Sequence, residues 1–249
     1  MDLALAGRAA LVTGASSGIG RAIARGLAAE GARVAFTGRR RANLESLAQE
    51  IEDAGGARPV VLTAEAMDEG YVDAVVAGIA PLGPLEILVN NAGGSRAFGM
   101  DGTERQWEEA LTVNFTRHRQ LTHRVLPQMI ARGFGRVINI TGKSEPEGMN
   151  GAFCAKAALT AWSKGLSREV GKHGITVNCI PPGRIMSDQI RRNYTPEYRE
   201  WQSGHEIPMG RYGEPEELAD LAIFLASPRA GYITGAVFPV DGGLRRYQY

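Results

Sequence analysis

The strongest constraint on the fold is a regular alternation of short apolar runs with longer helical segments. The apolar runs span residues 9–13, 33–37, 59–63, 86–90, 136–141, 175–180 and 236–240. Composition and period predict helices over residues 18–30, 41–54, 68–79, 104–132, 150–172 and 215–226. Strands that are apolar on both faces and alternate with helices are typical of a parallel sheet covered by helices. The pattern predicts an α/β fold, a doubly wound (Rossmann-type) domain with a seven-stranded parallel sheet.

The chain is predicted to form a single domain over residues 1–249. This length is within the range of one α/β domain, and no repeat, low-complexity tract or linker divides the sequence. The least regular stretch, residues 183–208, follows the sixth predicted strand, where ligands bind outside the carboxyl ends of an open sheet. We interpret it as a substrate lid, with a plain pair of surface helices as the alternative.

The charge balance argues against nucleic-acid and membrane partners. The 28 basic and 27 acidic residues give a net charge of +1, which predicts no electrostatic attraction to nucleic acid or to an anionic membrane. No apolar run reaches the ~18–20 residues of a membrane span, and no signal peptide is evident. We therefore expect a cytoplasmic protein with a small-molecule substrate. Cys154 and Cys179 lack metal-ligand spacing, so we predict no metal site and expect two buried free thiols.

The first apolar run leads directly into a glycine-rich turn that opens a helix. The segment 13–20 has the sequence TGASSGIG. Its glycines let the backbone approach a pyrophosphate, and the helix N-terminus offers unpaired N–H groups and a positive dipole end. We therefore predict dinucleotide binding by Gly14, Ser16, Ser17, Gly18, Ile19 and Gly20.

The end of the second predicted strand indicates which dinucleotide binds. NAD enzymes place an acidic residue there to accept hydrogen bonds from the ribose hydroxyls. This chain has Gly38-Arg39-Arg40 instead, and a guanidinium can pair bidentately with a 2′-phosphate. Arg39 and Arg40 therefore favour NADP(H) over NAD(H), although an arginine could also stack on the adenine.

Several motifs, in order and correctly spaced, resemble those of short-chain dehydrogenases. They are the T-G-x-x-x-G-I-G turn, N-N-A-G at 90–93, T-V-N-F at 112–115, P-G-R-I at 182–185, I-T-G at 233–235 and V-D-G-G at 240–243. The resemblance covers nearly the whole chain and implies the same dinucleotide-binding fold. It adds as cofactor-binding residues Glu65, Asn91, Ala92, Gly93, Lys156, Pro182, Gly183, Ile185 and Ser187.

The catalytic centre departs from the family's pattern. The segment from Ala152 to Lys156 resembles the family's Tyr-x-x-x-Lys helix, but alanine stands at the tyrosine position. In the family the phenol exchanges a proton with the substrate oxygen, and the lysine lowers the phenol's pKa. Aligning residues 136–141 on the fifth strand places Gly142 at the position of the catalytic serine. Ten residues separate Gly142 from Ala152, against about thirteen in the family.

Without the phenol, a reductase needs another proton donor. We predict catalytic roles for Lys156, for Asn114, which matches the family's water-holding asparagine, and for Ser144. Further candidate donors are Lys143, Glu145, Glu147, Tyr194, Tyr198 and His205. Arg96, Arg184, Arg191 and Arg192 either receive an anionic substrate or are surface charge.

These features favour an NADP(H)-dependent oxidoreductase that acts on a ketone or secondary alcohol with an atypical proton donor. The alternatives are a non-catalytic NADP(H)-binding protein and a lyase or isomerase on the same fold. The helices predicted over 104–132 and 150–172 and the tail 244–249 resemble the family's subunit interfaces. A homotetramer is therefore expected, with a dimer as the alternative.

Overall fold

A computed structural model describes residues 1–95, 98–142 and 148–246. Within them, one parallel sheet has the strand order β3-β2-β1-β4-β5-β6. The strands are β1 (Ala9–Val12), β2 (Arg33–Gly38), β3 (Val60–Thr63), β4 (Ile87–Asn90), β5 (Gly135–Ile140) and β6 (Ile175–Ile180). The helices are α1 (Gly18–Ala29), α2 (Arg41–Asp53), α3 (Tyr71–Gly78), α4 (Glu104–Leu111), α5 (Arg117–Arg132), α6 (Gly151–Val170), α7 (Asp188–Asn193), α8 (Pro196–His205) and α9 (Pro215–Ala226).

Helices cover both faces of the sheet, as the unbroken apolar strands predict. Successive side chains of a strand point to opposite faces. Ala10 and Val12 of β1 therefore pack in a cluster with α1, α2 and α9, whereas Ala9 and Leu11 pack in a second cluster with α3, α5 and α6. The reversal of strand order between β1 and β4 opens a crevice at the carboxyl ends of these strands.

The predicted sheet of seven strands is wrong by one strand. The segment 236–240 runs beside β6, but it makes only isolated bridges, which join Val237 to Cys179 and Val240 to Pro182. Cys179 donates to the Ala236 carbonyl and accepts from the Phe238 N–H, as in a regular ladder. Two residues later Pro181 has no N–H to donate, so the ladder is interrupted.

Two predicted helices also differ from those in the structure. The helix expected over 68–79 begins only at Tyr71, because the residues before it form a turn in which the Tyr71 N–H bonds the Asp68 carbonyl. The long helix expected over 104–132 is divided into α4 and α5 by a π-helical turn, Thr112–Thr116.

Residues 183–208 contain a pair of short helices. Ser187 caps α7 and Thr195 caps α8, each accepting a hydrogen bond from a backbone N–H three residues later. The segment thus has the helix pair considered as the alternative, and a lid role stays a prediction. None of the helices in the described part of the chain is long and apolar enough to cross a membrane.

The expectation of two buried thiols is half wrong. Cys179 is buried in β6, but Cys154 is exposed on α6. The period of the helix explains the difference, because Cys154 lies two residues after Ala152 and one before Ala155, both of which face the core.

The close packing of the glycine-rich turn predicts a sharp stability effect. A Cβ on Gly20 would overlap the Asn91 side-chain amide and lie 2.5 Å from the Gly14 carbonyl oxygen. We therefore expect Gly20→Ala to lower the free energy of unfolding by about 1–3 kcal/mol, measured by urea denaturation. Gly204→Ala on α8 is the control, because no atom lies within 4 Å of its added Cβ. Equal losses in both variants would contradict the packing argument.

Candidate active site

Thr13 and Asn91 join the carboxyl ends of β1 and β4. The Thr13 hydroxyl accepts hydrogen bonds from the backbone N–H groups of Asn91 (2.9 Å) and Ala92 (3.0 Å). The Asn91 side-chain amide donates to the carbonyl oxygens of Thr13 (2.9 Å) and Gly14 (3.1 Å). Asn91 and Ala92, predicted to bind the cofactor, thus hold the glycine-rich turn in place.

The N-terminus of α1 is open to an anion. Its N-cap residue Ser17 makes no capping hydrogen bond, and the first turn holds no acidic residue. The first N–H groups therefore keep their hydrogen-bonding capacity and the positive end of the helix dipole. The Arg40 guanidinium donates to the hydroxyls of Ser16 (3.3 Å) and Ser17 (2.8 Å), while Ile19 packs against the core. The free N–H groups at the start of α1 fit the pyrophosphate of a dinucleotide.

The two arginines predicted to bind a 2′-phosphate form exposed ion pairs at the end of β2. Arg39 lies 3.7 Å from the Glu65 carboxylate, and Arg40 lies 3.6 Å from that of Asp188. Exposed ion pairs typically contribute about 0–1 kcal/mol. Either guanidinium can therefore exchange its carboxylate for a phosphate at little cost. The structure brings Arg39, Arg40 and Glu65 to one edge of the crevice.

The other predicted cofactor residues after β6 form the opposite wall of the crevice. They are Pro182, Gly183, Ile185 and Ser187. Gly183 must be glycine, because an added Cβ would lie 2.5 Å from the Cα of Asp241. Ser187 faces the glycine-rich turn: the Cβ position of Gly18, whose φ is +55°, lies 3.5 Å from the Ser187 Cβ.

Lys156 is the charged residue beside the predicted catalytic positions. Its half-buried side chain extends from α6, and Nζ donates to the Ile140 carbonyl at the end of β5 (2.7 Å). Burial lowers the pKa of the Lys156 ammonium from 10.5 to about 8, because the charged form loses hydration. An acid–base group works best when its pKa lies near the operating pH. Lys156 is therefore suited to hold and release a proton.

The π-helical turn between α4 and α5 presents Asn114 beside Lys156. The Asn114 amide donates to the Gly94 carbonyl (3.0 Å) and accepts from the Gly94 N–H (3.2 Å). A Cβ on Gly93 would lie 2.9 Å from Asn114 Oδ1 and 3.3 Å from Lys156 Nζ. Gly93 therefore separates the two side chains with no room for a larger residue. Turns of this kind concentrate at functional sites.

Positions 152 and 142 differ in the room around them. Ala152 lies one helical turn before Lys156 and is only 5% exposed, so its methyl group is covered. Gly142 follows β5, and a Cβ there would lie 3.6 Å from the Cβ and Cγ of Lys156, an ordinary contact. A serine would therefore fit at position 142, whereas a tyrosine at position 152 would need space beneath the residues that cover Ala152.

The proposed substitute donors are only partly described. Ser144, Lys143, Glu145, Glu147 and Arg96 lie outside the described residues. Within residues 183–208, the rings of Tyr194, Tyr198, Trp201 and His205 stack in succession, with centroids 5.4, 5.8 and 5.1 Å apart. No contact in the described part of the chain joins these rings to Lys156. Arg191 and Arg192 are exposed on α7.

The sequence analysis missed Asn150 and His118. Asn150 is buried: its Oδ1 caps α6 through the Ala152 N–H (2.9 Å), and its Nδ2 donates to the Ser95 hydroxyl (2.8 Å). An asparagine before a predicted helix is a capping signal that could have identified it. His118 is 2% exposed on α5, four residues after Asn114, a spacing that places both on one helix face.

The His118 imidazole is held neutral. Burial lowers its pKa well below 6.5, the Lys156 ammonium lowers it further, and a hydrogen bond to the Ala92 backbone acts in the opposite direction. A buried neutral imidazole thus lies against the same segment, Ala92–Gly93, that borders the lysine.

Comparisons with known proteins agree with this architecture. The chain matches the family model described as enoyl-(acyl carrier protein) reductase over residues 14–245. The 3-oxoacyl-[acyl-carrier-protein] reductase FabG of Escherichia coli (strain K12) is 39% identical over an alignment of 245 residues that covers 96% of this chain and 97% of that protein.

Two solved structures superpose closely. The L-sorbose reductase of Gluconobacter frateurii, complexed with NADPH and L-sorbose, has a TM-score of 0.93 and 32% identity, covering 99% of this chain and 100% of that one. A 3-oxoacyl (acyl-carrier-protein) reductase of Agrobacterium tumefaciens C58 with NADP bound has a TM-score of 0.91 and 31% identity, covering 97% and 95%. Fold and site define an α/β protein with a dinucleotide crevice. The chain belongs to the short-chain dehydrogenase/reductase family.

Because His118 must stay neutral, acid should destabilise the fold. In the unfolded chain this imidazole binds a proton near its ordinary pKa of 6.5, whereas in the folded chain it does not. The unfolded state therefore binds more protons below that pH, and the free energy of unfolding falls as the pH falls. The loss is at most about 1.4 kcal/mol per pH unit. Denaturant titrations at pH 7.5 and 5.5 should give a smaller difference for His118→Gln than for the natural chain, and an equal difference would contradict this account.

Proposed function

We propose that this chain is an NADP(H)-dependent oxidoreductase that interconverts a ketone and a secondary alcohol with a proton donor other than a tyrosine phenol. One observation carries the proposal. Lys156, Asn114 and the open N-terminus of α1 lie at one edge of the sheet, while positions 152 and 142 carry alanine and glycine. The residues expected to bind the cofactor are present, whereas alanine and glycine stand where the resemblance places the catalytic tyrosine and serine.

Both the donor set and the relatives support NADP(H) as the cofactor. The Gluconobacter L-sorbose reductase is complexed with NADPH, and the Agrobacterium reductase has NADP bound. In this chain Arg39 and Arg40 supply the positive charge that a 2′-phosphate requires, and the first turn of α1 supplies N–H donors for the pyrophosphate. The cofactor supplies or accepts the hydride when it is bound.

The proton must come from this chain or from water. With a pKa of about 8, the Lys156 ammonium is mostly protonated at neutral pH and is the proton source at the site. Asn114 fixes the backbone of Gly94 and so the segment that borders the ammonium. Ser144, two residues after Gly142, remains the proposed hydroxyl that passes the proton to the substrate oxygen.

The substrate class follows from the same relatives. The names of the Escherichia and Gluconobacter proteins describe reductases of a 3-oxoacyl group and of L-sorbose, each of which carries a ketone. We accordingly propose a small ketone as substrate, in a cytoplasmic homotetramer. Light scattering of the purified chain tests the tetramer.

Cofactor preference should depend on Arg40. Arg40→Ala removes a charge-assisted bond to the 2′-phosphate, so we expect the Kd for NADPH to rise about 10- to 100-fold. The Kd for NADH, which has no such phosphate, should change little. Arg41→Ala is the matched control, because Arg41 pairs with Glu45 within α2. Fluorescence titration gives both constants for the natural chain and for each variant. An unchanged NADPH affinity in Arg40→Ala would place the phosphate elsewhere.

Turnover should depend on Lys156. We expect the natural chain to oxidise NADPH in the presence of a 3-oxoacyl thioester or L-sorbose. Lys156→Ala should lower kcat/KM about 10²- to 10⁴-fold, because the proton source is lost. Lys164→Ala is the control: Lys164 lies on the same helix but bonds the Gly235 carbonyl. Ser144→Ala should also lower kcat.

Two outcomes would favour the alternative functions. A natural chain that binds NADPH but is inert, and that gains ketone reduction in the double variant Ala152→Tyr with Gly142→Ser, would be a non-catalytic NADP(H)-binding protein. A chain that binds neither dinucleotide would favour a lyase or isomerase. Thermal denaturation of the double variant must accompany the assay, since Ala152 is covered.

A further inference from the structure

The polar layer between the sheet and helices α5 and α6 holds three buried atoms without a hydrogen-bond partner among the described residues. They are Nε2 of His118, Oδ1 of Asn90 and Oγ1 of Thr141. Their surroundings are well paired: the Asn90 amide donates to the hydroxyl of Thr122 (3.0 Å) and to Oδ1 of Asn139 (2.8 Å). Buried polar groups are nearly always hydrogen-bonded. Three unpaired polar atoms in one layer, of which the Asn90 oxygen can only accept, therefore indicate a missing hydrogen-bond partner.

His118 and Lys156 border the same short segment from two helices. The imidazole bonds the Ala92 backbone. The next residue is Gly93, whose Cβ position lies 3.3 Å from Lys156 Nζ. His118, on α5, follows Asn114 of the π-helical turn by four residues. This spacing places both side chains on the helix face that Lys156 approaches. The unpaired imidazole nitrogen thus lies in the layer beneath the ammonium.

The two groups have complementary hydrogen-bonding capacity. A lysine ammonium has three donors and no acceptor, and the Ile140 carbonyl is the one hydrogen-bond acceptor of the Lys156 ammonium among the described residues. A neutral imidazole whose N–H bonds the Ala92 carbonyl presents a lone pair at its other nitrogen. Polar atoms of this kind are commonly joined by one internal water with two to four partners.

We propose that His118 is a positioning residue for Lys156, its Nε2 accepting a hydrogen bond from the ammonium through one bridging water molecule. The proposal rests on the proposed function only in treating Lys156 as the working ion of the site. The contact itself requires no turnover.

A hydrogen-bond acceptor beside the ammonium would oppose the lowering of the Lys156 pKa by burial. Within residues 1–95, 98–142 and 148–246, the titratable groups that act on the ammonium are His118 from α5 and Cys179 from β6, and Lys156 is the charged group that acts on His118. A hydrogen bond to the charged form of a group favours that form. His118 therefore helps to keep Lys156 protonated at neutral pH despite its low-dielectric surroundings.

The charge of Lys156 can be measured directly. The chain has only four lysines, Lys143, Lys156, Lys164 and Lys172, so NMR of ¹³Cε-labelled lysine resolves them, and Lys156→Arg assigns the signal. We expect His118→Leu to weaken proton binding by Lys156 about tenfold, because a hydrogen bond to a charged group is lost. His118→Gln keeps an acceptor oxygen and should retain most of the natural value. His123→Leu, on the same helix but stacked on Trp162, is the control.

The tautomer of His118 gives a second test that does not depend on any variant folding. The four histidines are resolved in long-range ¹H–¹⁵N spectra, and the proposal requires the proton on Nδ1. A proton on Nε2 would overturn it, as would an unchanged or strengthened proton affinity of Lys156 in a folded His118→Leu variant. Because neither spectrum needs a substrate, failure of the proposed reductase activity is distinguishable from failure of this contact.

If the chain is active, the pH profile provides a third measurement. In His118→Leu the alkaline limb of kcat/KM should move to lower pH, whereas a purely structural loss would lower kcat/KM equally at all pH values.

Discussion

The site depends on the close approach of the glycine-rich turn to the end of β4. Thr13 and Asn91 exchange hydrogen bonds across this contact, and Gly14 and Gly20 are small enough to allow it. The contact fixes where α1 begins, and so where its unpaired N–H groups point. It also fixes the segment Ala92–Gly93, against which Asn114, Lys156 and His118 are arranged. One packing contact thus aligns the cofactor wall and the catalytic wall of the crevice.

Much of the fold could be predicted because it is encoded in local patterns. The apolar runs predicted the six strands, and the spacing of the glycines predicted the turn between β1 and α1. The missing strand could not be predicted from residues 236–240, because the cause is Pro181, which follows β6 far away in the sequence, and its effect depends on register. The π-helical turn could not be predicted either, because the spacing of apolar residues around Asn114 does not show that this turn of the helix holds one extra residue.

Some residues of the site could be predicted from the sequence and others could not, for physical reasons. Lys156 and Asn114 stand in motifs, and the structure brings them together around Gly93. Asn150 and His118 stand in no family motif. Asn150 could have been found as a helix cap, whereas the burial and the unpaired nitrogen of His118 are visible only in the structure. Ala152 was singled out from the sequence because alanine stands at the expected tyrosine position. The structure adds that its methyl group is covered.

Pro181 has an effect beyond the length of the sheet. Regular edge strands present rows of N–H and C=O groups that can pair with strands of other molecules. Here the segment 236–240 lies over the β6 edge with an interrupted ladder, and its own Pro239 offers no N–H. This side of the sheet is consequently a poor template for intermolecular pairing. Pro181 interrupts the ladder beneath this segment and Pro239 removes an N–H from its outer side, so the two prolines together disfavour edge-to-edge pairing.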